Sequence, residues 1–321
     1  MRALVRRAGG VRLEDIAPPR LQRDDDVLIQ VVLAGVCRTD VYVARGALPV
    51  NEPRVIGHEF AGVVLACGPA AGFRAGERVT VDPAMACGAC ASCRTGGACA
   101  EPLFMGVQTD GAFAEQVVVP AAYVLRTPEG MAAKRAAYVE PVAAALAVLN
   151  APLDPAGRGL ILGDNRIATL TGRILAIHGF SDVTHASAQE IPEDAAPFDF
   201  VIETQATAAS LAVMFDRLKP HGLGVLKSRP AAAVPINVAQ AVRKNLRLHA
   251  VAYGPFERAI ELLASGALAI DDLLGEAFAL EDFERAFAQS EASDSAKIFF
   301  AVSAPAAPDA RGAQAGQLAH A

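Results

Sequence analysis

Several features that would place this 321-residue chain in other protein classes are absent from its sequence. No apolar run reaches the roughly 18 residues that a membrane-spanning helix needs, so we predict no membrane partner. The first residues, MRALVRRAGG, contain no apolar signal segment, so we expect a cytoplasmic protein. The net charge of −6 gives no reason to expect a nucleic-acid partner. These absences favour a globular protein that acts on small molecules.

The distribution of apolar residues predicts two structural parts. Up to about residue 125, short β-like runs such as VLIQVVLAGV and EFAGVVLACG are separated by Gly and Pro, which is typical of a barrel-like β domain. After about residue 130, apolar strand patterns alternate with helical patterns, which predicts a parallel α/β sheet. The fold class is therefore α/β with an additional β-rich domain.

Four of the six cysteines fall in one short segment, CGACASCRTGGAC. A cytosolic chain keeps its thiols reduced, so this clustering indicates a metal site rather than disulfides. A tetrahedral zinc would hold together a loop that has few apolar residues of its own. The alternative is a reduced cluster that has lost its ion. The predicted ligands have the spacing C-x2-C-x2-C-x5-C and are Cys87, Cys90, Cys93 and Cys99.

Two further loops, GVCRTD and GHEFAG, carry residues that suit a second metal site. Cys37 and His58 offer a thiolate and an imidazole, both of which bind zinc. Asp40 could accept the free ring N–H of His58 and fix its tautomer. Thr39 could pass a proton between a metal-bound alcohol and water. Each residue alone also has an ordinary structural interpretation, as a small buried side chain or a structural histidine.

The sequence resembles the zinc-containing medium-chain alcohol dehydrogenases, including the sorbitol and threonine dehydrogenase branch. The motifs that carry the resemblance follow one another in the family's order: GVCRTD, GHEFAG, the cysteine loop, EPVAAAL and GLILGD. The resemblance covers about residues 1 to 302. It implies a GroES-like β-rich catalytic domain and a Rossmann-type doubly wound parallel sheet, with the active site in the cleft between them. The implied division is 1–145 for the catalytic domain, 146–268 for the nucleotide-binding domain, 269–302 for the return to the first domain and 303–321 for a flexible tail.

The resemblance also assigns roles to residues. Cys37 and His58 would hold a catalytic zinc with Glu140 as third protein ligand, and Glu59 would be a ligand in some states or a close neighbour. Glu140 could instead be an ordinary charge at a helix N-terminus. The four cysteines of the loop would hold a structural zinc. The implied reaction passes a hydride between a secondary alcohol or polyol and NAD or NADP.

The nucleotide half departs from the family pattern at the expected pyrophosphate turn. The three glycine positions of the turn read Gly163, Asn165 and Ala168. The second glycine normally lets the backbone approach the pyrophosphate, and Asn165 places a side chain there. Arg166 could contact a phosphate or face solvent.

Two more departures lie on the expected path of the cofactor. The strand VTHAS ends at Ser187 with no carboxylate to hold a ribose, and only ten residues, QEIPEDAAPF, precede the next strand. One helix and perhaps one strand are therefore predicted to be missing. Gln205 and Ala206 occupy the end of a run where the family has a glycine. Together these changes predict weakened binding of NAD or NADP.

Three functions therefore stay open from the sequence: a zinc-dependent oxidoreductase, a non-catalytic binding or accessory protein, and a zinc-dependent lyase or hydratase. We further expect a homo-oligomer, a dimer or a tetramer, with residues 223–238 as a candidate edge strand. The substrate cleft is expected to be mainly apolar around Val41, Leu48, Pro49 and Met105.

Overall fold

The computed structural model describes residues 1–192 and 194–303, so the predicted tail at 303–321 lies, apart from Ser303, outside the described residues. The strands are β1 (Arg2–Arg7), β2 (Gly10–Asp15), β3 (Asp26–Gly35), β4 (Arg54–Val55), β5 (Glu59–Cys67), β6 (Arg78–Val81), β7 (Ala84–Met85), β8 (Leu103–Phe104), β9 (Gln116–Pro120), β10 (Val124–Arg126), β11 (Gly159–Leu162), β12 (Val183–Ala186), β13 (Phe198–Glu203), β14 (Leu218–Leu226), β15 (Arg247–Ala250), β16 (Leu274–Ala279) and β17 (Lys297–Ala301). The helices are α1 (Arg38–Ala44), α2 (Ala91–Arg94), α3 (Ala133–Ala137), α4 (Val139–Leu146), α5 (Arg166–Ile177), α6 (Ala208–Arg217), α7 (Val238–Lys244), α8 (Phe256–Ala264) and α9 (Phe283–Ala292). Within the described ranges, no helix combines the length and apolarity that a membrane crossing requires.

The β-rich part is built around strand β3, which pairs with β5, β9 and β17. Alternate residues of β3, among them Val27, Ile29 and Val31, are fully buried, as expected for a strand with one face on a core. Strand β17 pairs antiparallel with β3 and parallel with β16, so the end of the described chain returns to the first sheet. Phe60, Phe113 and Phe300 are among the largest side chains of this core.

The second part is a five-stranded parallel sheet in the order β12-β11-β13-β14-β15. The common doubly wound order is 3-2-1-4-5-6, and this sheet matches that order without its third strand. Among the described residues between β12 and β13 there is neither helix nor strand, in agreement with the predicted shortening. The topology confirms the predicted α/β fold class and places the switch point, where strand order reverses, between β11 and β13.

The predicted edge strand at 223–238 is wrong. Strand β14 lies inside the sheet and pairs with β13 on one side and β15 on the other. Leu223 and Val225 are buried, as expected for a strand covered on both faces. The outer strands of this sheet are β12 and β15.

Candidate active site

A cleft of about 200 Å³ lies where the carboxyl ends of β11, β13 and β14 face helices α1 and α4. Open α/β sheets bind ligands at this kind of edge, next to the switch point. The predicted apolar wall is wrong, because none of its four residues is among the described residues that line the cleft. Val41 and Met105 are buried in the core of the β-rich part instead. The residues that define the cleft chemically are Cys37, Thr39, Glu140, Gln205, Lys227 and Arg229.

Cys37, His58 and Glu59 converge at the base of this cleft, with one ligand atom of each within 4.8 Å of the others. Cys37 is the N-cap of α1, and the His58–Glu59 pair stands at the start of β5. A thiolate, an imidazole and a carboxylate at this separation form a donor set that fits zinc.

Asp40 fixes both loops that carry these groups. Its Oδ2 accepts the backbone N–H of Cys37 at 2.8 Å, and its Oδ1 accepts that of Gly57 at 3.1 Å. The same Oδ1 lies 3.2 Å from Nδ1 of His58. Nδ1 forms no hydrogen bond of standard geometry with the described residues, but the carboxylate lies beside it and Nε2 is left for another partner, as in a carboxylate–histidine–metal set. Asp40 is 2 % exposed, so water cannot readily replace these partners, and losing them would leave a buried charge without hydrogen bonds.

The electrostatics of the pocket also favour a cation. Burial opposes protonation of His58, but the neighbouring Asp40 and Cys37 together raise its pKa well above the usual value. A positive charge on the ring is thus stabilised here even without a metal. A metal ion would supply that charge itself and bind the neutral ring.

Glu59 has a partner that the sequence analysis missed. Its Oε2 forms an ion pair with the ammonium of Lys297 on β17, and both side chains are almost fully buried. Burial raises the pKa of Glu59, although the Lys297 charge lowers it. Gly35 lies against the pair, and a Cβ there would collide with both side chains. The available signal was a single lysine in KIFFAV, an otherwise apolar strand.

Glu140 lines the cleft but is not a member of the converging group. It lies in the first turn of α4, and its Oε1 accepts a short hydrogen bond from the hydroxyl of Tyr253. Thr39 lies beside Cys37 on the cleft wall. The structure thus brings Glu59 closer to the Cys37–His58 pair than Glu140, and Tyr253 is a second residue that the sequence analysis missed.

The four loop cysteines also converge, with their sulfur atoms within 4.8 Å of one another. Cys87 donates its N–H to the sulfur of Cys99 at 3.2 Å. Cys93 donates to the sulfur of Cys90 at 3.4 Å, and this hydrogen bond is the main cause that lowers the pKa of Cys90 to about 6. Gly96 adopts φ 75°, which lets the short five-residue spacer turn back. This donor set fits a tetrahedral zinc, and Cys99 belongs to it geometrically.

The N-terminus of α5, where the pyrophosphate is expected, is occupied by the chain itself. Asn165 is the N-cap, and its Oδ1 accepts the N–H groups of Ile167 and Ala168, both at 3.0 Å. The N–H of Arg166 donates to the carbonyl of Asp294 at 2.9 Å. In a helix N-terminus that binds phosphate, the corresponding N–H groups are free and donate to the phosphate.

Two side-chain contacts reinforce this arrangement. Nδ2 of Asn165 donates to Oγ1 of Thr204 at 3.0 Å, which bridges the ends of β11 and β13. The Arg166 guanidinium is 6 % exposed and forms an ion pair with Asp294, so it neither faces solvent nor points to a free phosphate position. Gly163 is required here, because a Cβ would collide with Thr204.

The other predicted cofactor residues are also engaged. The N–H of Ser187 donates to Oε2 of Glu190 at 2.8 Å, so a carboxylate from the following turn lies beside this strand end, although the strand itself carries none. The turn after β12 folds Glu190 back to the position that the strand itself leaves without an acid. The backbone carbonyl of Gln205 accepts a hydrogen bond from the Ser210 hydroxyl, and Ala206 donates its N–H to the Ser228 hydroxyl oxygen at 2.8 Å. A dinucleotide can therefore use the α5 turn only after Asp294 and Asn165 release its amides.

Comparisons with known proteins agree with this architecture. Residues 23–129 match the model of the alcohol dehydrogenase GroES-like domain. The chain is 27 % identical to a D-xylulose reductase of Morganella morganii, over 89 % of this chain and 96 % of that protein. It is 29 % identical to a 2-dehydro-3-deoxy-L-galactonate 5-dehydrogenase of Pseudoalteromonas atlantica, over 83 % of this chain and 88 % of that protein.

Among solved structures, an Escherichia coli alcohol dehydrogenase complexed with NADH superposes with a TM-score of 0.84 at 23 % identity, covering 94 % of this chain and 99 % of that one. At this identity the likeness establishes the fold. The matched domain, the full-length relatives and the ordered series of cysteine, histidine and glutamate motifs point to one conclusion. Residues 23–129 match the alcohol dehydrogenase GroES-like domain, and nearly the whole chain is similar to zinc-binding dehydrogenases of the alcohol-dehydrogenase type.

Proposed function

We propose that this protein interconverts a secondary alcohol or polyol and the corresponding carbonyl compound, with a catalytic zinc and NAD or NADP. The observation that carries the proposal is the convergence of Cys37, His58 and Glu59 at the base of the cleft. This donor set faces the switch point of a parallel sheet, which is where a hydride acceptor would bind. The two full-length relatives are named for activities of the same class.

Cys37 and His58 would hold the zinc, with Glu59 or Glu140 as the third protein ligand. Bound there, zinc supplies a Lewis acid that lowers the pKa of an alcohol. Asp40 would keep the His58 ring aimed at the metal, through the 3.2 Å contact described above. Thr39 would carry a proton between the alcohol and water. The loop site formed by Cys87, Cys90, Cys93 and Cys99 would hold a second, structural zinc.

The nicotinamide cofactor would supply the hydride acceptor. The proposed cofactor residues are Gly163, Asn165, Arg166, Ala168, Ser187, Gln205 and Ala206. Because the backbone amides of the α5 turn have internal partners, we propose that the cofactor binds more weakly than to a turn with three glycines. The proposed division of the chain at residues 145 and 268 is supported by the pairing of β17 with β3. Homo-oligomer formation stays a prediction.

The occupied turn also favours a second candidate function. A non-catalytic binding or accessory protein on a dehydrogenase scaffold would have no need for free amides at α5. A zinc-dependent lyase or hydratase would likewise use the metal site without the dinucleotide.

One set of measurements on the purified chain separates these functions. Elemental analysis should give two zinc ions per chain, and titration with NADH and NADPH should quench or enhance nicotinamide fluorescence. Oxidation of a panel of polyols and hydroxy acids should then depend on zinc and cofactor. Zinc-loaded protein that binds neither nucleotide at millimolar concentration would contradict the oxidoreductase proposal, and a zinc-dependent turnover without nucleotide would favour the non-redox enzyme.

A further inference from the structure

The cleft contains two cationic side chains that the proposed reaction does not use. Lys227 and Arg229 follow directly after β14, at the carboxyl end of the sheet, and both line the cleft opposite Cys37 and Glu140. They are separated by one residue and share the cleft with the metal ligands. Lys227 is half-buried and Arg229 is exposed, so a ligand that enters the cleft can reach both side chains.

The backbone that carries Lys227 is held rigidly. Buried Glu203 accepts the N–H of Lys227 at 2.7 Å, the N–H of Ser228 at 2.8 Å and the hydroxyl of Ser228 at 2.6 Å. Ser228 in turn accepts the N–H of Ala206. The Glu203 carboxylate is thus occupied by three donors, and the strand end is fixed against the neighbouring β13 loop.

The ammonium of Lys227 has no hydrogen bond or ion pair to any residue in 1–192 or 194–303. Burial lowers its pKa to about 8, although Glu140 and Glu203 favour its charged form. It is therefore still mainly protonated at neutral pH. A desolvated cation without a partner gains most from an anion that enters the cleft.

Arg229 is oriented by aromatic rings. Its guanidinium carbon lies 5.0 Å from the ring centroid of Tyr253 and 5.8 Å from that of Phe104. The Phe104 ring is in turn 4.9 Å from the ring of His58, centroid to centroid. One N–H group reaches the Tyr253 hydroxyl at 3.4 Å, and the remaining donors stay available for a carboxylate or phosphate.

The acidic groups near Lys227 and Arg229 have other hydrogen-bond or ion-pair partners, although Glu140 and Glu203 keep their negative charge because their donors are neutral. Glu59 is paired with Lys297, and Asp294 is paired with Arg166. Glu140 accepts from the Tyr253 hydroxyl, and Glu203 is bound to Lys227 and Ser228 through their N–H groups. Lys227 and Arg229 are therefore two adjacent cationic side chains on the cleft wall, and neither has an ion pair with a carboxylate among the described residues.

We propose that Lys227 and Arg229 bind the anionic group of the substrate, so that the preferred substrate is an alcohol that carries a carboxylate or a phosphate. This proposal rests on the proposed function, which supplies the reacting alcohol. Lys227 provides a point charge and Arg229 a planar fork, and together they would hold the anionic end while the hydroxyl reaches the metal.

The test compares substrates with one carbon skeleton and different charge: sorbitol, gluconate and sorbitol 6-phosphate. Zinc-loaded wild-type protein should turn over one of the two anionic compounds with kcat/KM at least tenfold above sorbitol, and the better one identifies the anionic group. Lys227→Met and Arg229→Met should reduce that preference by about 10- to 100-fold, mainly through KM. Lys227→Arg should retain part of it. Arg243→Met on α7, away from the cleft, is the matched control and should keep the wild-type preference.

Direct binding keeps this test independent of turnover. Isothermal titration of the zinc-loaded protein with gluconate and with sorbitol 6-phosphate should show binding that Lys227→Met weakens and Arg243→Met does not. If the anion binds in this manner but no alcohol is oxidised, the anion site stands and the oxidoreductase proposal fails. Equal preference for neutral and anionic compounds, or anion binding that is unchanged in both cleft variants, would overturn the anion site.

Discussion

The metal half and the nucleotide half of this molecule use hydrogen bonds in opposite ways. Around Cys37 and His58, the carboxylate of Asp40 holds the ligands from behind, so their metal-binding atoms point to one shared position. At the start of α5, Asn165 and Asp294 accept from the amides that would themselves be the binding groups. In both regions the backbone N–H groups named here have acceptors. The difference shows that the hydrogen bonds around a binding site must hold its residues in place and still leave the ligand-binding atoms free. A count of hydrogen-bonded groups does not distinguish these two cases.

The largest expected effect comes from removing a ligand of the catalytic metal. Cys37→Ser should lower the zinc content from two ions per chain to one and reduce kcat/KM by about 10³-fold or more, because the Lewis acid contributes several kcal/mol. Elemental analysis and steady-state kinetics measure both. Cys67→Ser, on β5 and outside both cysteine sites, is the control. A variant that keeps full activity with one zinc would mean that the catalytic centre lies elsewhere.

The loop site should affect stability more than chemistry. Cys99→Ser removes one of four converging sulfur atoms, so we expect the loss of one zinc and a decrease of about 2–4 kcal/mol in the free energy of unfolding. Metal analysis, followed by chemical denaturation, checks this expectation. Retention of both ions would show that three cysteines suffice and that the fourth only closes the loop.

A smaller effect on metal binding is expected from Asp40, the carboxylate beside His58. Asp40→Asn keeps the size of the side chain but removes its charge, so the affinity for the catalytic zinc should fall about 10- to 100-fold. Competition with a chelator measures this affinity, and the loop zinc serves as the internal reference. If chelation removes both ions as in the wild type, the 3.2 Å contact to His58 does not tune the metal.

The nucleotide half can be tested in the opposite direction, by removing groups to gain function. Asn165→Gly frees the N–H groups of Ile167 and Ala168. Asp294→Ala leaves its backbone carbonyl on the Arg166 N–H but releases the Arg166 guanidinium from its ion pair. We expect each variant to tighten NADH binding by about tenfold, since one hydrogen bond to a charged group contributes about 1.5 kcal/mol. Fluorescence titration with NADH gives the dissociation constants. Asp271→Ala, which removes an exposed ion pair with Arg135, controls for the loss of an acidic residue. Unchanged or weaker binding in both variants would show that neither the occupied amides nor the paired Arg166 guanidinium limits cofactor binding.

The sequence predicted those parts of the site whose chemistry is carried by residue type and spacing. The cysteine loop and the Cys37, Asp40 and His58 group could be found in this way, because ligand residues are few and their order is restrictive. The roles of Lys297 and Asp294 could not be predicted, since each lies far along the chain from its partner and only the return of the last strands brings them together. The position of β14 inside the sheet was missed for a related reason. Pro230 and Pro235 of the predicted segment follow the strand, and Pro220 lies in its irregular part between Leu218 and Leu223, outside the paired residues.

The pairing of β17 with β3 also affects how the molecule is made. Strand β3 ends at Gly35, whereas β17 begins at Lys297, so the first sheet is completed only when the end of the chain has been synthesised. Contacts between distant segments slow folding, and during translation the exposed edge of β3 would remain open to wrong partners. Because Lys297 also pairs with Glu59, we expect the metal pocket to be completed only after β17 has docked. A ribosome-bound chain that lacks its final strand should therefore have a formed parallel sheet and an unfinished metal pocket.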